Sequence, residues 1–313
     1  MCCSYADNAQ RVVRATLQFC TYNRAHLLPR VLEACFEQTV GDGDYEVVLV
    51  NDGSTDETTS VIEQAKFEAP VRFIVISQHN SGLARARNAG IARASGDRII
   101  FIDDDVLPLP NFVEEHLRSH ERHPQAIVRG AVIKTQSFEK LPPPVYSLRD
   151  FSANYFWTSN VSVPLHRLRE IGAFNEDFAE YGWEDIELGL RLRFAGVRSF
   201  FNKKAVAFHY KPAAEAQGVE TMLRQARAQA RTAAQLAKIH PHWRAYLATG
   251  NTIPHRVLHK WLRGVKSSRF FSPLLSGQQA EGILGGRSLW AARRLASEAY
   301  YEELERALAG KGK

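Results

Sequence analysis

The chain has 313 residues, of which 45% are hydrophobic and 24% charged, with a net charge of +6; this excludes a disordered chain. No uninterrupted apolar run approaches the roughly 20 residues that span a bilayer. The first residues, Met1 to Asp7, have neither the basic region nor the apolar core of a secretory signal, so the expectation is a cytoplasmic protein.

Residues 1–14 read as an N-terminal extension, followed by a strand at Ala15–Cys20. A helix over Ala25–Gln38 has Leu28, Val31, Leu32 and Cys35 at helical spacing and Pro29 in its first turn. A second strand, Tyr45–Val50, precedes Ser54-Thr55-Asp56-Glu57, which fits a capping box with Ser54 as N-cap and Glu57 reaching back. A third strand at Val71–Ile76, a helix at Gly82–Ala94 ended by Gly96, and a fourth strand at Asp97–Ile102 follow. A helix over Pro110–His120 and a strand over Ala126–Thr135 complete residues 15–135. Pro142-Pro143-Pro144 makes Gln136–Asp150 a surface loop. Beyond it, residues 151–212 hold a strand near Thr158–Val163, a helix from Leu165, a helix over Trp183–Phe194 closed by Gly196, and a strand near Ala205–His209. Residues 213–313 read as helical, broken by Pro241, Pro254, Pro273 and Gly282–Gly286.

From Lys211 onward there are 17 Lys and Arg against 7 Asp and Glu, a balance of +10 that leaves −4 for the remainder. Cys2, Cys3, Cys20 and Cys35 lack paired metal-ligand spacing, and a reducing compartment is the default. Apolar runs joined by helices of about a dozen residues predict an α/β fold with a parallel sheet covered on both faces. Ligands of such sheets sit at the carboxyl ends of the strands. Here those ends carry Thr21-Tyr22-Asn23, Asn51-Asp52-Gly53, Ser77-Gln78-His79-Asn80 and Asp103-Asp104-Asp105, a set that suits a nucleotide and a hard cation.

Side chains alternate along a strand, so Asp103 and Asp105 share a face and Asp104 points away. Three adjacent carboxylates ending a buried strand repel unless a cation or hydrogen bonds compensate; capping the next helix would account for one of them. Oxygen ligands favour Mg2+ or Mn2+, which bridge diphosphate oxygens. Asp52 is placed to accept from a base N–H or a ribose hydroxyl, although an ordinary turn uses the same residue types. Asn80-Ser81-Gly82 opens a helix whose N–H groups, with Arg87, offer contacts to a diphosphate or base; a plain N-cap with solvated arginines is the other reading, and it is the one preferred for Arg85.

A second acidic site, Gly182-Trp183-Glu184-Asp185, lies at the start of a helix. The helix dipole favours carboxylates there, so capping is one reading. In the other, Trp183 stacks on a sugar ring and a carboxylate takes a proton from an acceptor hydroxyl. His209, after the last strand, is either structural or the imidazole that completes an oxygen-dominated metal site.

Together these motifs resemble the family 2 glycosyltransferases, which have the Rossmann-like GT-A fold, a mostly parallel sheet with helices on both faces. The matching stretches are Thr21-Tyr22-Asn23-Arg24, Val50 to Asp56, Asn80-Ser81-Gly82 with Ala86-Arg87-Asn88-Ala89-Gly90, Phe101 to Asp105, and Gly172 to Glu176 followed by Trp183-Glu184-Asp185. They run in order over about residues 15–210, which the resemblance divides into a nucleotide-binding half, 15–135, and an acceptor half, 151–212. The resemblance implies that Asp52 and Thr21 hold the nucleoside and that Arg87 supports the nucleotide pocket. Asp103 would contact ribose or diphosphate, Asp105 and His209 the metal. Asp185 would be the general base of an inverting transfer from a UDP-linked sugar, with Glu184 orienting a saccharide, lipid-linked or other hydroxyl acceptor.

Three competing readings are an aspartate-based phosphatase, a sugar nucleotidyltransferase and a non-catalytic nucleotide-sugar binding module. Leu107 stands where the phosphatase wants Thr or Val, and Thr21-Tyr22-Asn23-Arg24 lacks the glycines of a nucleotidyltransferase loop. Arg224, Arg227 and Arg231, with Lys260, Arg263, Lys266 and Arg269, offer a peripheral contact to anionic lipid at the inner membrane face; a solvated face or a dimer contact fits equally. A nucleic acid partner is not expected, because the positive charge is confined to the tail and lacks a reading element.

Overall fold

The computed structural model describes residues 13–147, 154–211, 218–255, 257 and 286–310. Cys2, Cys3, Pro273, Lys260, Arg263, Lys266 and Arg269 lie outside the described residues, as do most of the N-terminal extension and the end of the proline loop.

Strands β1 (Ala15–Thr21), β2 (Tyr45–Asn51), β3 (Arg72–Ser77) and β4 (Arg98–Phe101) form a parallel half-sheet in the order β3-β2-β1-β4. In register, Ala15 sits beside both Tyr45 and Arg98. Helices α1 (Leu28–Phe36), α2 (Thr58–Glu68) and α3 (Leu83–Arg93) make the crossovers. The second half adds β5 (Val106–Pro108), α4 (Phe112–Arg122), β6 (Ile127–Thr135), β7 (Val161–Pro164), α5 (Leu165–Glu170), α6 (Glu184–Phe194) and β8 (Ser199–Tyr210). The eight-stranded sheet reads β3-β2-β1-β4-β7-β6-β8-β5, with β7 antiparallel to β4 and β6, and β5 antiparallel to β8.

Both faces are covered, as the unbroken apolar runs require. Ile100 and Ile102 pack with α1, α2 and α4, whereas Ile99 and Phe101 pack with α3, α5 and α6. Each fully buried Leu, Ile or Phe of this kind contributes about 1.5–3 kcal/mol, so the strand ends are fixed by a two-sided core.

The structure corrects three local expectations. Ser54 does not cap α2; its Oγ accepts from the Asn23 N–H, and Asp56 Oδ1 accepts from the first helical N–H, that of Thr58. β8 begins six residues before the apolar stretch Ala205–His209, because Asn202-Lys203-Lys204 lies along a half-exposed edge and carries no apolar signal. β5 is three residues long, too short for periodicity to reveal.

Beyond β8 come α7 (Val219–Ile239), α8 (Trp243–Ala248) and α9 (Gly286–Leu308). Val219 and Met222 meet Ala291 and Ala292, and Ala230, Ala233 and Ala234 meet Leu304, so α7 and α9 run side by side in the same direction. The expected helical C-terminal region is therefore present, joined through an alanine seam.

Beneath α4 lies a closed polar cluster. His116 Nδ1 and His120 Nε2 both meet Ser162 Oγ, at 2.7 and 2.8 Å, and His116 Nε2 meets Asn160 Oδ1 at 3.0 Å. Burial pushes His116 down to about 4; burial, then the neighbouring His116, pushes His120 to about 3. The folded chain thus binds fewer protons than the unfolded one below the ordinary histidine range. Their contribution is complete above about pH 6.5 and is lost as pH falls. His120 alone should cost about 2 kcal/mol between pH 6.5 and pH 5. Thermal unfolding of His120→Gln should therefore gain on the wild type as pH falls over that interval. A gap between the two that does not change with pH would contradict the buried neutral assignment.

Candidate active site at the carboxyl ends of the strands

The parallel strands β1, β2 and β4 end at one rim, and every acidic motif of the sequence collects there. β4 stops at Phe101, so Asp103-Asp104-Asp105 forms a turn between β4 and β5 rather than a strand end. The turn nevertheless separates the side chains as alternation predicts. Asp103, Asp105 and His209 each present a ligand atom, and these atoms lie within 4.8 Å of one another. Asp104 turns aside, with Oδ1 3.4 Å from Arg24 Nε.

His209 reaches the cluster because β8 pairs with β5, which sets His209 opposite Val106. Its Nε2 lies 3.0 Å from Asp105 Oδ1, and Lys211 Nζ is 3.8 Å from Oδ2. Burial would raise the Asp105 pKa, but the His209 hydrogen bond and the charges of His209, Lys211 and Arg24 hold it below the usual carboxylate range. Asp104 goes the other way. Burial pushes it up to about 7, with Asp105 and Asp103 adding and Arg24 opposing. Two carboxylate oxygens and an imidazole nitrogen are a donor set that suits a divalent cation.

Arg87 connects this rim to the second acidic site. Only 4% exposed, it donates from Nη1 to Glu184 Oε1 at 2.7 Å and from Nη2 to Asp103 Oδ1 at 3.2 Å and Thr158 Oγ1 at 2.7 Å. Its guanidinium lies over the Phe174 ring, 5.2 Å from the centroid. Burial works against its charge, yet Glu184 and Asp103 outweigh that and raise its pKa. Glu184 is thus committed to Arg87, which leaves Asp185 as the unpaired carboxylate of α6. Asp185 Oδ1 accepts from the Ile186 N–H at 2.7 Å. Burial, then repulsion from Glu184, pushes its pKa up to about 7, against Arg87.

On the β2 side, Asp52 is buried and serves its own chain. Oδ1 accepts from Gln78 Nε2 at 2.7 Å and the Ser81 N–H at 2.9 Å; Oδ2 accepts from the Gly82 N–H at 3.1 Å. It thereby fixes the turn that carries the exposed Asn80. Gly53 makes this close approach feasible: at φ +79, a Cβ would stand 2.6 Å from the Asn80 nitrogen. Asn23 Oδ1 accepts from the Thr55 N–H at 2.7 Å, tying the β1 turn to the β2 turn. Thr21, at the end of β1, is buried beside Asp104 without a well-formed hydrogen bond, and Tyr22 is exposed on the rim.

Trp183 differs from the expected stacking plate. Its ring packs with Phe178, Ile186, Leu190 and Leu236, and its Nε1 donates to Gln229 O at 2.8 Å. The indole joins α6 to α7 because its only polar group finds a partner there. Arg85 pairs with Glu176 at the surface. Of the tail cations, Arg231 is committed to Glu180 and Glu303, while Arg224 and Arg227 face solvent.

Several members of the site escape motif reading. Thr158, which accepts from Arg87, and Ser159, whose Oγ donates to Asp103 Oδ2, enter from the turn just before β7. Lys211 escapes it too, whereas Arg24 and Gln78, which supply further polar contacts, stand within the strand-end motifs already named. Tyr181 stands 59% exposed at the rim; its phenol is held above the ordinary range by burial and by Glu184, Asp103, Asp185 and Asp105. The signal available for Thr158 and Ser159 was a polar run directly before an apolar strand.

No helix among the described residues is long and apolar enough to cross a membrane. Residues 18–169 match the family described as glycosyl transferase family 2. The chain is 32% identical over 213 residues to the validoxylamine A glucosyltransferase of Streptomyces hygroscopicus subsp. jinggangensis, covering 56% of this chain and 50% of that protein. It thus spans about half the length of that relative. It is 25% identical over 266 residues to the uncharacterized glycosyltransferase YfnE of Bacillus subtilis, covering 66% of this chain and 67% of the relative. Among solved structures, it resembles the mannosyltransferase PcManGT of Pyrobaculum calidifontis in complex with GDP-Man and Mn2+, with a TM-score of 0.60, 19% identity, and 96% and 88% of the two chains covered. S. aureus TarS 1-349 in complex with UDP gives a TM-score of 0.56 at 16% identity over 95% and 92% of the two chains. These likenesses give the fold as GT-A, and residues 18–169, about half of the chain, match the family 2 glycosyl transferases.

Proposed function

We propose that the chain is a metal-dependent glycosyltransferase that moves a sugar from a UDP-linked donor to an acceptor hydroxyl with inversion. One observation carries the reading: Asp103, Asp105 and His209 converge within 4.8 Å at the rim where the parallel strands end, one buried arginine away from the Glu184-Asp185 pair. Neighbours of the same fold are solved with UDP, UDP-GlcNAc, GDP-Man and Mn2+, which favours a nucleotide-sugar in this place.

Asp105 and His209, with Asp103, would hold Mn2+ or Mg2+, the imidazole favouring Mn2+. When bound, such a cation neutralises the departing diphosphate as a Lewis acid. Thr21, Asp52 and the turn that Asp52 organises form the nucleoside wall. Arg87 keeps Asp103 and Glu184 in place from beneath. Asp185 has Oδ1 occupied by the Ile186 N–H, so Oδ2 takes the proton of the acceptor hydroxyl while that oxygen attacks the anomeric carbon from the face opposite the diphosphate. General-base help of this kind supplies about 10²–10⁴ in rate.

A donor-hydrolysis screen tests this without knowledge of the acceptor. UDP- and GDP-sugars are offered with and without Mn2+, and release of the nucleoside diphosphate is followed. One donor is expected to turn over, and chelating the metal should remove most of that rate. Uniform inertness toward every donor, with metal present and an acceptor mixture supplied, would overturn the assignment.

A further inference from the structure

The loop that delivers the Glu184-Asp185 pair is strained and is held from outside the strand framework. Gly182 sits at φ +107 and Trp183 at φ +71. Gly182 is free to do so, but an αL tryptophan costs on the order of 1 kcal/mol or more and persists only where its surroundings over-determine it. Four consecutive residues of this loop are gripped by α7. Glu180 takes the Arg231 guanidinium, with Nε at 2.9 and 3.0 Å from its two oxygens. Tyr181 O lies 3.3 Å from Thr232 Oγ1, a hydroxyl that also has Ala228 O at 3.0 Å and Gln229 O at 3.2 Å within its own helix. A Cβ on Gly182 would stand 3.2 Å from Gln229 Cγ, and Trp183 Nε1 donates to Gln229 O at 2.8 Å. α9 backs this grip from the far side, since Arg231 Nη1 also reaches Glu303 Oε1 at 3.1 Å.

We propose that α7, backed by α9, positions the catalytic loop: it holds residues 180–183 in their left-handed turn and so aims Asp185 at the acceptor. Arg231 and Trp183 are the positioning residues. Neither touches donor or acceptor; they act through the backbone of the loop. The C-terminal region, basic by composition, thereby has one of its arginines at work inside the site's support rather than on a membrane surface. The proposal deepens the sugar-transfer reading and rests on it for the role of Asp185.

The test pairs two variants with two readouts. Arg231→Ala removes the grip on Glu180, and Trp183→Phe keeps an aromatic ring but removes the indole N–H that bonds Gln229 O. Amide hydrogen exchange, measured on the full nucleotide-free chain, should show residues 180–186 exchanging on the order of 10-fold faster, with β1, β2 and β4 unchanged. In donor turnover, kcat should fall 10- to 100-fold, as a misplaced catalytic group requires, while the nucleotide Kd with Mn2+ stays within about twofold. Arg231→Lys should recover part of kcat. Unchanged exchange in the loop would overturn the clamp whether or not the chain transfers sugar. Faster exchange with unchanged kcat would overturn its positioning role. Equal losses in kcat and nucleotide affinity, with the whole chain melting lower, would also overturn it, since the helix would then support the fold at large. Failure of the wild type to turn over any donor strikes the sugar-transfer reading and leaves the exchange comparison standing.

Discussion

Replacing Asp185 with asparagine is expected to lower transfer by about 10²–10⁴ while leaving nucleotide affinity within a few-fold of wild type. Asparagine keeps the size of the side chain and the Oδ1 acceptor of the Ile186 N–H, so the helix start is preserved and only proton uptake is lost. The pKa near 7 adds a second expectation. Turnover of the wild type should rise with pH through about 7, as Asp185 gives up its proton, and should fall about tenfold per unit below that. A flat profile between pH 5 and pH 8 would deny Asp185 the role of base. Stability should move the opposite way. The folded state holds a proton on Asp185 that the unfolded chain has released between about pH 4 and pH 7, so this group's contribution declines as pH rises through that window. Asp185→Asn should therefore melt no lower than wild type at pH 8, even as its activity collapses. That separation distinguishes a chemical role from a structural one.

Arg87→Met should be the most destabilising single change at the site. The guanidinium is buried and supplies the cation for Glu184, itself buried, and for Asp103. Methionine fills much of the volume and leaves both carboxylates uncompensated, a loss of about 3–5 kcal/mol for a broken buried pair. Melting should fall by on the order of 10 °C in a chain of this size, and nucleotide binding should weaken because Asp103 loses its partner. Arg87→Lys should lie between, since an ammonium does not span Glu184, Asp103 and Thr158 as the planar fork does. A variant Arg87→Met that melts within a degree or two of wild type would contradict the bridge.

Much of the frame was legible because burial writes itself plainly into parallel strands. Tyr45–Asn51 is buried at every position, and its composition announces this. The rim followed from the same logic, since Asp52 and the three aspartates follow β2 and β4, parallel strands that end on the same side of the sheet. Alternation also separated Asp104 from Asp103 and Asp105, even though the three occupy a turn. What stayed hidden depends on partners distant in sequence. Glu184 and Arg87 are 97 residues apart, so nothing local reveals that Arg87 absorbs one member of the acidic pair. Ser54 looked like a helix cap because Asp56, two residues on, has the same chemistry, and only tertiary packing decided between them. Trp183 read as an open aromatic plate for want of any sign that α7 would cover it. The His116, His120, Ser162 and Asn160 cluster had no motif at all, for buried polar networks are defined by mutual distance.

The central claim is that the acidic rim takes a divalent cation together with a nucleoside diphosphate. Its most direct measurement is a calorimetric titration of UDP, then GDP, into the chain with and without Mn2+, repeated with Asp105→Asn. The account predicts that one nucleotide binds, that Mn2+ tightens it by about tenfold or more, and that the variant loses that gain, since one of three ligands is gone. Binding that is the same with and without Mn2+, or absent for both nucleotides, would contradict it.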